Sequence, residues 1–399
     1  MHLTHLSLTN FRNYTRLELD LPARIHLFQG ANAQGKTNLL EAIYYLATTK
    51  SPRTSSDQQL IHWAAQAEVI PHAHAAVTFM RAGEEHTIEA ILVQERFPNG
   101  LGQVRFRRQL RLDGLPRRAL DIVGKLNVVL FFPQDIDLVA GSPAERRRYL
   151  DITLCQIDPL YCRTLSRYNR VLGQRNALLR QIREGAAQEE ELDYWDEQLI
   201  ELGSYILAQR VQAIQQLNTL VQERQEQLTQ GGERLSLAYQ SSVQKDPTQP
   251  QQESLLPPNE TGEWKALFRQ ALQRKRSEEL ARGVTTLGPH RDDVRFSING
   301  IDATIYGSRG QQRTAALALK LSEAELIREH AGESPVLLLD DVISELDTLR
   351  SQLLLQAVSQ MEQALLTTTD LGPFPRSFLR STILWQVIGG KILPLEAQE

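Results

Sequence analysis

The stretch Gly30–Thr37, G-A-N-A-Q-G-K-T, follows an apolar run containing Ile25, Leu27 and Phe28 and opens a helical pattern running toward Leu46. Two glycines five positions apart, then a lysine, then a hydroxyl, form the phosphate-binding loop pattern. The glycines let the backbone of Gly30, Ala31, Asn32, Ala33, Gln34 and Gly35 turn its N–H groups inward around phosphate oxygens. Lys36 can reach the outer phosphates, the Thr37 hydroxyl can ligate Mg²⁺, and a helix starting at Lys36 adds its positive end to the anion site. A chain with this feature enters its fold as strand, loop and helix, which predicts an α/β architecture.

The 399 residues suffice for two or three domains with a sizeable core. Lysine plus arginine number 44 against 48 acidic residues, a net charge of −4, so the molecule as a whole does not attract nucleic acid and any DNA contact must use local patches. Cys155 and Cys162 lack paired metal or redox spacing and read as reduced packing residues. The alternating Met1–Asn10 segment reads as a strand rather than a signal peptide. The longest apolar run, Val128–Phe132, is far too short to cross a bilayer, so the expectation is a cytoplasmic protein without membrane contact.

Residues 1–150 read as the first half of an α/β head, with hairpin signals at Ala82-Gly83, Asn99-Gly100 and Asp113-Gly114. Apolar positions three and four apart then predict two helices packed as an antiparallel pair within a helical insert over 151–240. Residues 241–282 read as an exposed, proline-bearing loop from Gln244 to Gly262 followed by a helix returning to the head. Strand and helix alternate again over 283–399, with turns at Asn299-Gly300 and Gly389-Gly390. The expected fold is thus an α/β head with mixed sheets, interrupted by an α-helical second domain.

Pro335–Leu339 reads as a short buried strand that presents Asp340 and Asp341 at its C-terminal edge. Asp340 is placed to hold Mg²⁺, and Asp341 to orient or deprotonate an attacking water. Ser308-Arg309-Gly310-Gln311-Gln312-Arg313 precedes a long helix, where a serine and a glycine make an anion-binding end. His72 and His74 have no third ligand and read as exposed loop residues rather than a metal site.

The order of these features resembles the RecF family of the SMC-like ABC ATPases. The marks are Asn10–Tyr14, Gly30–Asn38, Lys50–Thr54, Phe132–Asp135, Gly141–Asp151, Gly288–Asp293, the Ser308 loop and the double aspartate. The Gly-Pro-His-Arg-Asp-Asp run is the most specific of them. The resemblance covers nearly the whole chain. It implies a protein of recombinational DNA repair and replication that uses ATP and Mg²⁺. It further implies dimerisation on ATP, binding to duplex and gapped or junction DNA, and work with recombination mediator proteins to load recombinase. Ser308, Gly310 and Gln311 become the signature loop, which binds the terminal phosphate of a nucleotide held by the other subunit. Gln134 becomes the Q-loop residue, sensing Mg²⁺ and water. Arg12, Asn13, Asn38 and Arg53 are expected near the nucleotide. The usual catalytic glutamate is Asp341, and the usual switch histidine falls near Thr368, Thr369 and Asp370. The shorter aspartate arm predicts a weak ATPase suited to a timed clamp. A transporter ATPase subunit or another P-loop nucleotidase is the alternative, though the former lacks such a helical insert.

Arg105, Arg107, Arg108, Arg111, Arg117 and Arg118 concentrate basic charge in one strand-rich segment and are candidates for phosphate contacts with DNA. A solvated hairpin accounts for the same residues.

Overall fold

The computed structural model describes residues 1–96, 104–244 and 261–395. The expected Asn99-Gly100 turn and nearly all of the proline-bearing loop after Gln244 lie outside these residues. The chain divides into two compact units, Met1–Asp135 with the segment from Lys320 onward, and Ile136–Leu319.

The first unit holds two six-stranded sheets. One is antiparallel, in the spatial order Tyr14–Asp20, His2–Phe11, His72–Arg81, Glu84–Arg96, Val104–Leu112, Leu115–Arg117. His72 and His74 therefore sit on a strand and not in a loop. They lie 3.2 Å from Glu68 and 3.5 Å from Glu89, and no cluster of three or more His, Cys, Asp or Glu side chains placed to hold a metal ion occurs among the described residues.

The other sheet runs Lys391–Pro394, Ile383–Ile388, Ile25–Gln29, Ala364–Thr368, Val336–Asp340, Val128–Phe131, and is parallel except at the Lys391–Pro394 edge. Val128–Phe131, Val336–Asp340 and Ala364–Thr368 are buried throughout. Strands covered on both faces need apolar runs, which Val128–Phe131 and residues 336–339 supply unbroken, while Ala364–Thr368 ends in two buried threonines. The strand Ile25–Gln29 is first in sequence but lies between Ala364–Thr368 and Ile383–Ile388. Its C-terminal edge, with those of its neighbours, forms the rim where loops of α/β sheets collect ligands.

In the second unit the helices Pro143–Ile157, Pro159–Arg183, Leu192–Thr229 and Thr261–Arg282 accompany a three-stranded antiparallel sheet of Ile301–Asp302, Asp293–Ile298 and Leu235–Gln240. Ser142 and Glu145 close a capping box at the first helix, and the Asp158 carboxylate accepts from Leu160 N at the second, so both starts are written locally. The 38-residue helix Leu192–Thr229 is about 57 Å long and packs on both Pro159–Arg183 and Thr261–Arg282. Gly203 permits the approach: a Cβ there would lie 2.4 Å from the Phe268 ring. Cys155 and Cys162 are buried and form no disulfide.

This unit, Ile136–Leu319, runs past the bounds read for the helical insert, 151–240, and part-buried polar bonds tie the flanking segments together. Arg146 pairs with Asp293 through bonds of 2.7 and 2.9 Å, and Arg147 donates to the Asp292 carbonyl at 2.8 Å. No helix among the described residues is long and apolar enough to cross a membrane.

Candidate nucleotide site

The phosphate loop leaves the strand Ile25–Gln29 and ends in the helix Lys36–Thr48. Gly35 has φ +116°, a conformation open to glycine, and a Cβ there would meet the Asn13 side chain at 2.5 Å. Lys36 Nζ donates to the carbonyls of Gly30 at 2.6 Å and Ala31 at 3.0 Å, curling back over the loop. Burial lowers its pKa, while Asp341 and Asp340 oppose that shift. Thr37 Oγ1 donates to the Asp340 carboxylate, 2.8 and 3.0 Å from its two oxygens. Thr367 Oγ1 donates to the same carboxylate at 2.7 Å.

Asp341 turns off the strand end with φ +51°, a left-handed conformation that is uncommon outside glycine. Its amide donates to Thr367 Oγ1 at 3.0 Å, and Ser344 Oγ donates to its carbonyl at 2.7 Å. Its Oδ1 is buried without a hydrogen-bond partner. Burial raises the Asp341 pKa, against the bond with Ser344 and the charge of Lys36, with Asp340 adding to the rise. A hydroxyl and a carboxylate in contact, an ammonium folded over carbonyls, and an orphaned carboxylate oxygen together fit a Mg²⁺-nucleotide.

The neighbouring strand ends carry the remaining expected residues of this unit. Gln134 is exposed in the turn Pro133–Ile136, just past Val128–Phe131, and Phe131 is in register with Leu339. Thr369 follows Ala364–Thr368, and its carbonyl accepts from Gln29 Nε2 at 3.2 Å. Asn13 Nδ2 donates to the Gln34 carbonyl at 2.9 Å, and Asn38 Nδ2 to Asn13 Oδ1 at 2.8 Å. Arg53 Nη1 donates to Asn38 Oδ1 at 3.0 Å. Arg12 lies one step back: it grips the fully buried Glu41 through bonds of 2.8 and 2.6 Å, and Ser51 Oγ donates to that carboxylate at 2.6 Å. Arg12 thus braces the phosphate-loop helix through Glu41.

Sequence reasoning missed Glu41 and the role of Gly389-Gly390. Gly389 N donates to Gln34 Oε1 at 2.7 Å and Gly390 N to the Gln34 carbonyl at 3.0 Å, so this hairpin turn is pinned to the phosphate loop. The Gly-Gly signal was visible, but nothing local in it points to a loop 355 positions earlier.

Ser308, Gly310 and Gln311 belong to the second unit. Ser308 N donates to Gln311 Oε1 at 2.9 Å and Gln311 N to Ser308 Oγ at 3.2 Å, a reciprocal cap on the helix Arg309–Ala331. Gln311 Nε2 also donates to Glu233 Oε1 at 2.9 Å. Ser308 and Gly310 themselves are exposed.

The Gly288–Asp293 run is largely structural: Gly288, Pro289 and Asp292 are buried, while Arg291 is exposed. Arg210, 2% exposed, donates to the Pro289 carbonyl at 2.6 Å and pairs with Asp151 at 2.7 Å. Asp292 accepts from Tyr239 OH at 2.7 Å and from Ser242 Oγ at 2.6 Å. His290 lies 2.8 Å from Tyr168 OH, and burial lowers its pKa to about 4, so it is neutral at physiological pH.

The candidate DNA arginines divide between two faces. Arg105, Arg107 and Arg111 stand opposite Glu95, Val93 and Glu89, and Arg107 pairs with Glu95 at 3.2 Å. Arg108 faces the other way, held by Asp57 and the Thr49 carbonyl, each at 3.0 Å.

A parallel sheet with a phosphate loop on one central strand and a double aspartate two strands away defines the head of an ABC-type ATPase. The RecF/RecN/SMC N terminal domain family matches residues 2–374. An Smc head domain from Pyrococcus furiosus shares the fold over 99% of this chain and 96% of its own, at TM-score 0.51 and 16% identity. The "DNA replication and repair protein RecF" of Chloroflexus aurantiacus is 45% identical over 98% of this chain and 99% of its own length, and that of Halalkalibacterium halodurans is 38% identical over 98% and 99%. A solved structure of the recombination mediator protein RecF-ATP in the RecFOR pathway covers 99% of this chain and 98% of its own, with TM-score 0.83 and 30% identity. This chain belongs to the RecF family.

Proposed function

We propose that the chain is an ATP-gated DNA-binding protein of recombinational repair and replication, active as a homodimer. The observation that carries the reading is the contact of Thr37 with Asp340 at the start of the phosphate-loop helix. Thr37 and Asp340 would hold Mg²⁺, with Gln134 reaching the same rim. Lys36 would exchange the Gly30 and Ala31 carbonyls for phosphate oxygens. Bound there, Mg²⁺ would offset the charge developing on the transferred phosphoryl group. Asp341 would hold the attacking water on its unpartnered Oδ1 and take its proton. Thr369 would take the part of the switch residue. An aspartate arm, shorter than glutamate and strained at its backbone, supports slow hydrolysis and a clamp rather than a motor.

Each chain carries one phosphate loop and one Ser308 loop. Two copies related by a twofold axis would give two composite sites, each closed by the partner's Ser308 loop. The closed dimer would then bind gapped or junction DNA and work with mediator proteins in loading recombinase, a reading supported by membership of the RecF family and by the neighbour's place in the RecFOR pathway. Sedimentation of the wild type and of Asp341→Asn with ATP, with and without gapped duplex, tests it. The expected result is an ATP-dependent dimer that the variant traps on DNA. A protein that remains a single subunit at saturating ATP, yet hydrolyses it normally, overturns it.

A further inference from the structure

The helix Pro159–Arg183 has 25 residues, six of them arginine, and not one carboxylate. Each of the other long helices of its unit, Pro143–Ile157, Leu192–Thr229 and Thr261–Arg282, contains acidic residues. In a chain of net charge −4 such a segment is a local exception. Its inner face carries Tyr161, Cys162, Thr164, Tyr168, Arg175, Leu178 and Leu179, all buried. Arg175 is committed there to Asp196 at 2.6 Å and Glu279 at 2.8 Å. The outer face presents Arg163, Arg167 and Arg170, all exposed.

At 3.6 residues per turn these three side chains fall within an arc of about 60°, and they span about 10 Å of helix axis. Gln174 continues the line at about one further turn, and beside it Gly173 leaves open space. Duplex DNA places one phosphate charge every ~1.7 Å of its axis, so a straight track of this length meets several phosphates. No aromatic side chain is exposed along the track, which favours the sugar-phosphate backbone over stacked bases. Among the described residues no ion pair engages Arg167 or Arg170, whereas on the sheet Arg107 pairs with Glu95 at 3.2 Å and Arg111 stands opposite Glu89.

We infer that Arg163, Arg167 and Arg170 form a sequence-independent contact track for the phosphate backbone of DNA. The inference rests on the DNA-binding reading above and names the surface that carries it.

The test is fluorescence anisotropy of a labelled gapped duplex with the full chain, ATP and Mg²⁺, at three salt concentrations. It compares wild type, Arg167→Ala/Arg170→Ala, Arg167→Glu/Arg170→Glu and Arg105→Ala/Arg107→Ala. Alanine is the best helix former, so the first variant keeps the helix, and ATP-driven sedimentation without DNA checks that its dimer forms as in wild type. The alanine pair should weaken DNA binding about 10-fold or more and flatten the slope of log K against log salt by about 2, at roughly 0.9 per lost phosphate contact. Charge reversal should abolish binding. Unchanged affinity and slope, or a loss confined to Arg105→Ala/Arg107→Ala, overturns the track while leaving the DNA-binding reading intact. A wild type that dimerises on ATP but binds no gapped DNA removes both.

Discussion

Thr37 and Asp340, 303 positions apart in sequence, meet in a hydrogen bond of 2.8 Å. Thr37 opens the phosphate-loop helix and Asp340 ends a buried strand, so their contact reports that loop and sheet are correctly assembled. Asp340→Asn keeps a polar side chain for Thr37 and Thr367 but removes the negative charge and leaves one neutral oxygen to offer a cation. ATP affinity measured by calorimetry should fall at least ~10-fold with Mg²⁺, worth about 1.4 kcal/mol. With EDTA in place of Mg²⁺ the two proteins should bind alike. An equal deficit in both conditions would show that Asp340 acts by structure alone.

Asp341 is expected to separate binding from turnover. Asp341→Asn should bind ATP as wild type does while hydrolysis falls by about 10²–10⁴-fold, the range for loss of a general base. The raised pKa adds a stability signature. A carboxyl whose folded-state pKa lies above its unfolded value binds more protons when folded, so its contribution to stability falls as pH rises through that window and then stays low. Thermal melts should therefore show Asp341→Asn more stable than wild type near neutral pH, with the difference disappearing below the ordinary aspartate range. A variant less stable than wild type at pH 7 would contradict the burial cost assigned to this group.

Two adjacent glycines give a paired comparison. Gly389 and Gly390 both have positive φ, 54° and 75°. A Cβ on Gly389 meets nothing within 4 Å, whereas one on Gly390 would lie 2.4 Å from the Asn13 carbonyl oxygen. Gly389→Ala should cost about 1 kcal/mol from the backbone alone. Gly390→Ala should cost more and also weaken ATP binding, because the turn must leave Gln34. Equal melting temperatures and equal ATP affinities would rule out the latch.

The Gln311 side chain spans Ser308 and Glu233, so Glu233 is expected to position the loop that a partner would present to phosphate. Glu233→Ala removes a bond to a charged acceptor, of the order of 1.5–3 kcal/mol. The ATP concentration needed for dimerisation should rise about 10-fold, while ATP binding to the single subunit stays as in wild type. Dimerisation at unchanged ATP would free Glu233 of this role.

Arg210 offers the test of the Gly288–Asp293 run. Arg210→Met leaves the Pro289 carbonyl without its donor and Asp151 without its cation, a loss of about 3–5 kcal/mol for a broken buried pair. Denaturant melts should show it. A melt within about 1 kcal/mol of wild type would show that Arg210 does not hold this network together.

The parts of the molecule that were legible beforehand are those whose signal is local. The phosphate loop, the strand before Asp340 and the two helices of the insert each announce themselves within a dozen residues, through glycine spacing, an unbroken apolar run or steps of three and four. What escaped were relationships between distant segments. Nothing in Gly389-Gly390 marks it as the partner of Gln34, and Glu41 reads as one more polar position on a helix until Arg12 and Ser51 converge on it. Arg108 looked like its neighbours because a strand's two faces alternate, and only the register against Leu92 shows that it faces inward. The helix Pro159–Arg183 was visible as a helix, yet its arginine track required knowing which side was covered.

The order of strands also governs when a ribosome can deliver a working protein. Ile25–Gln29 emerges early but has no parallel neighbour until Ala364–Thr368 and Ile383–Ile388 have been made. The phosphate loop must therefore wait for its parallel sheet through the synthesis of the entire second unit. The parallel sheet around the phosphate loop closes only after translation has passed Ile388.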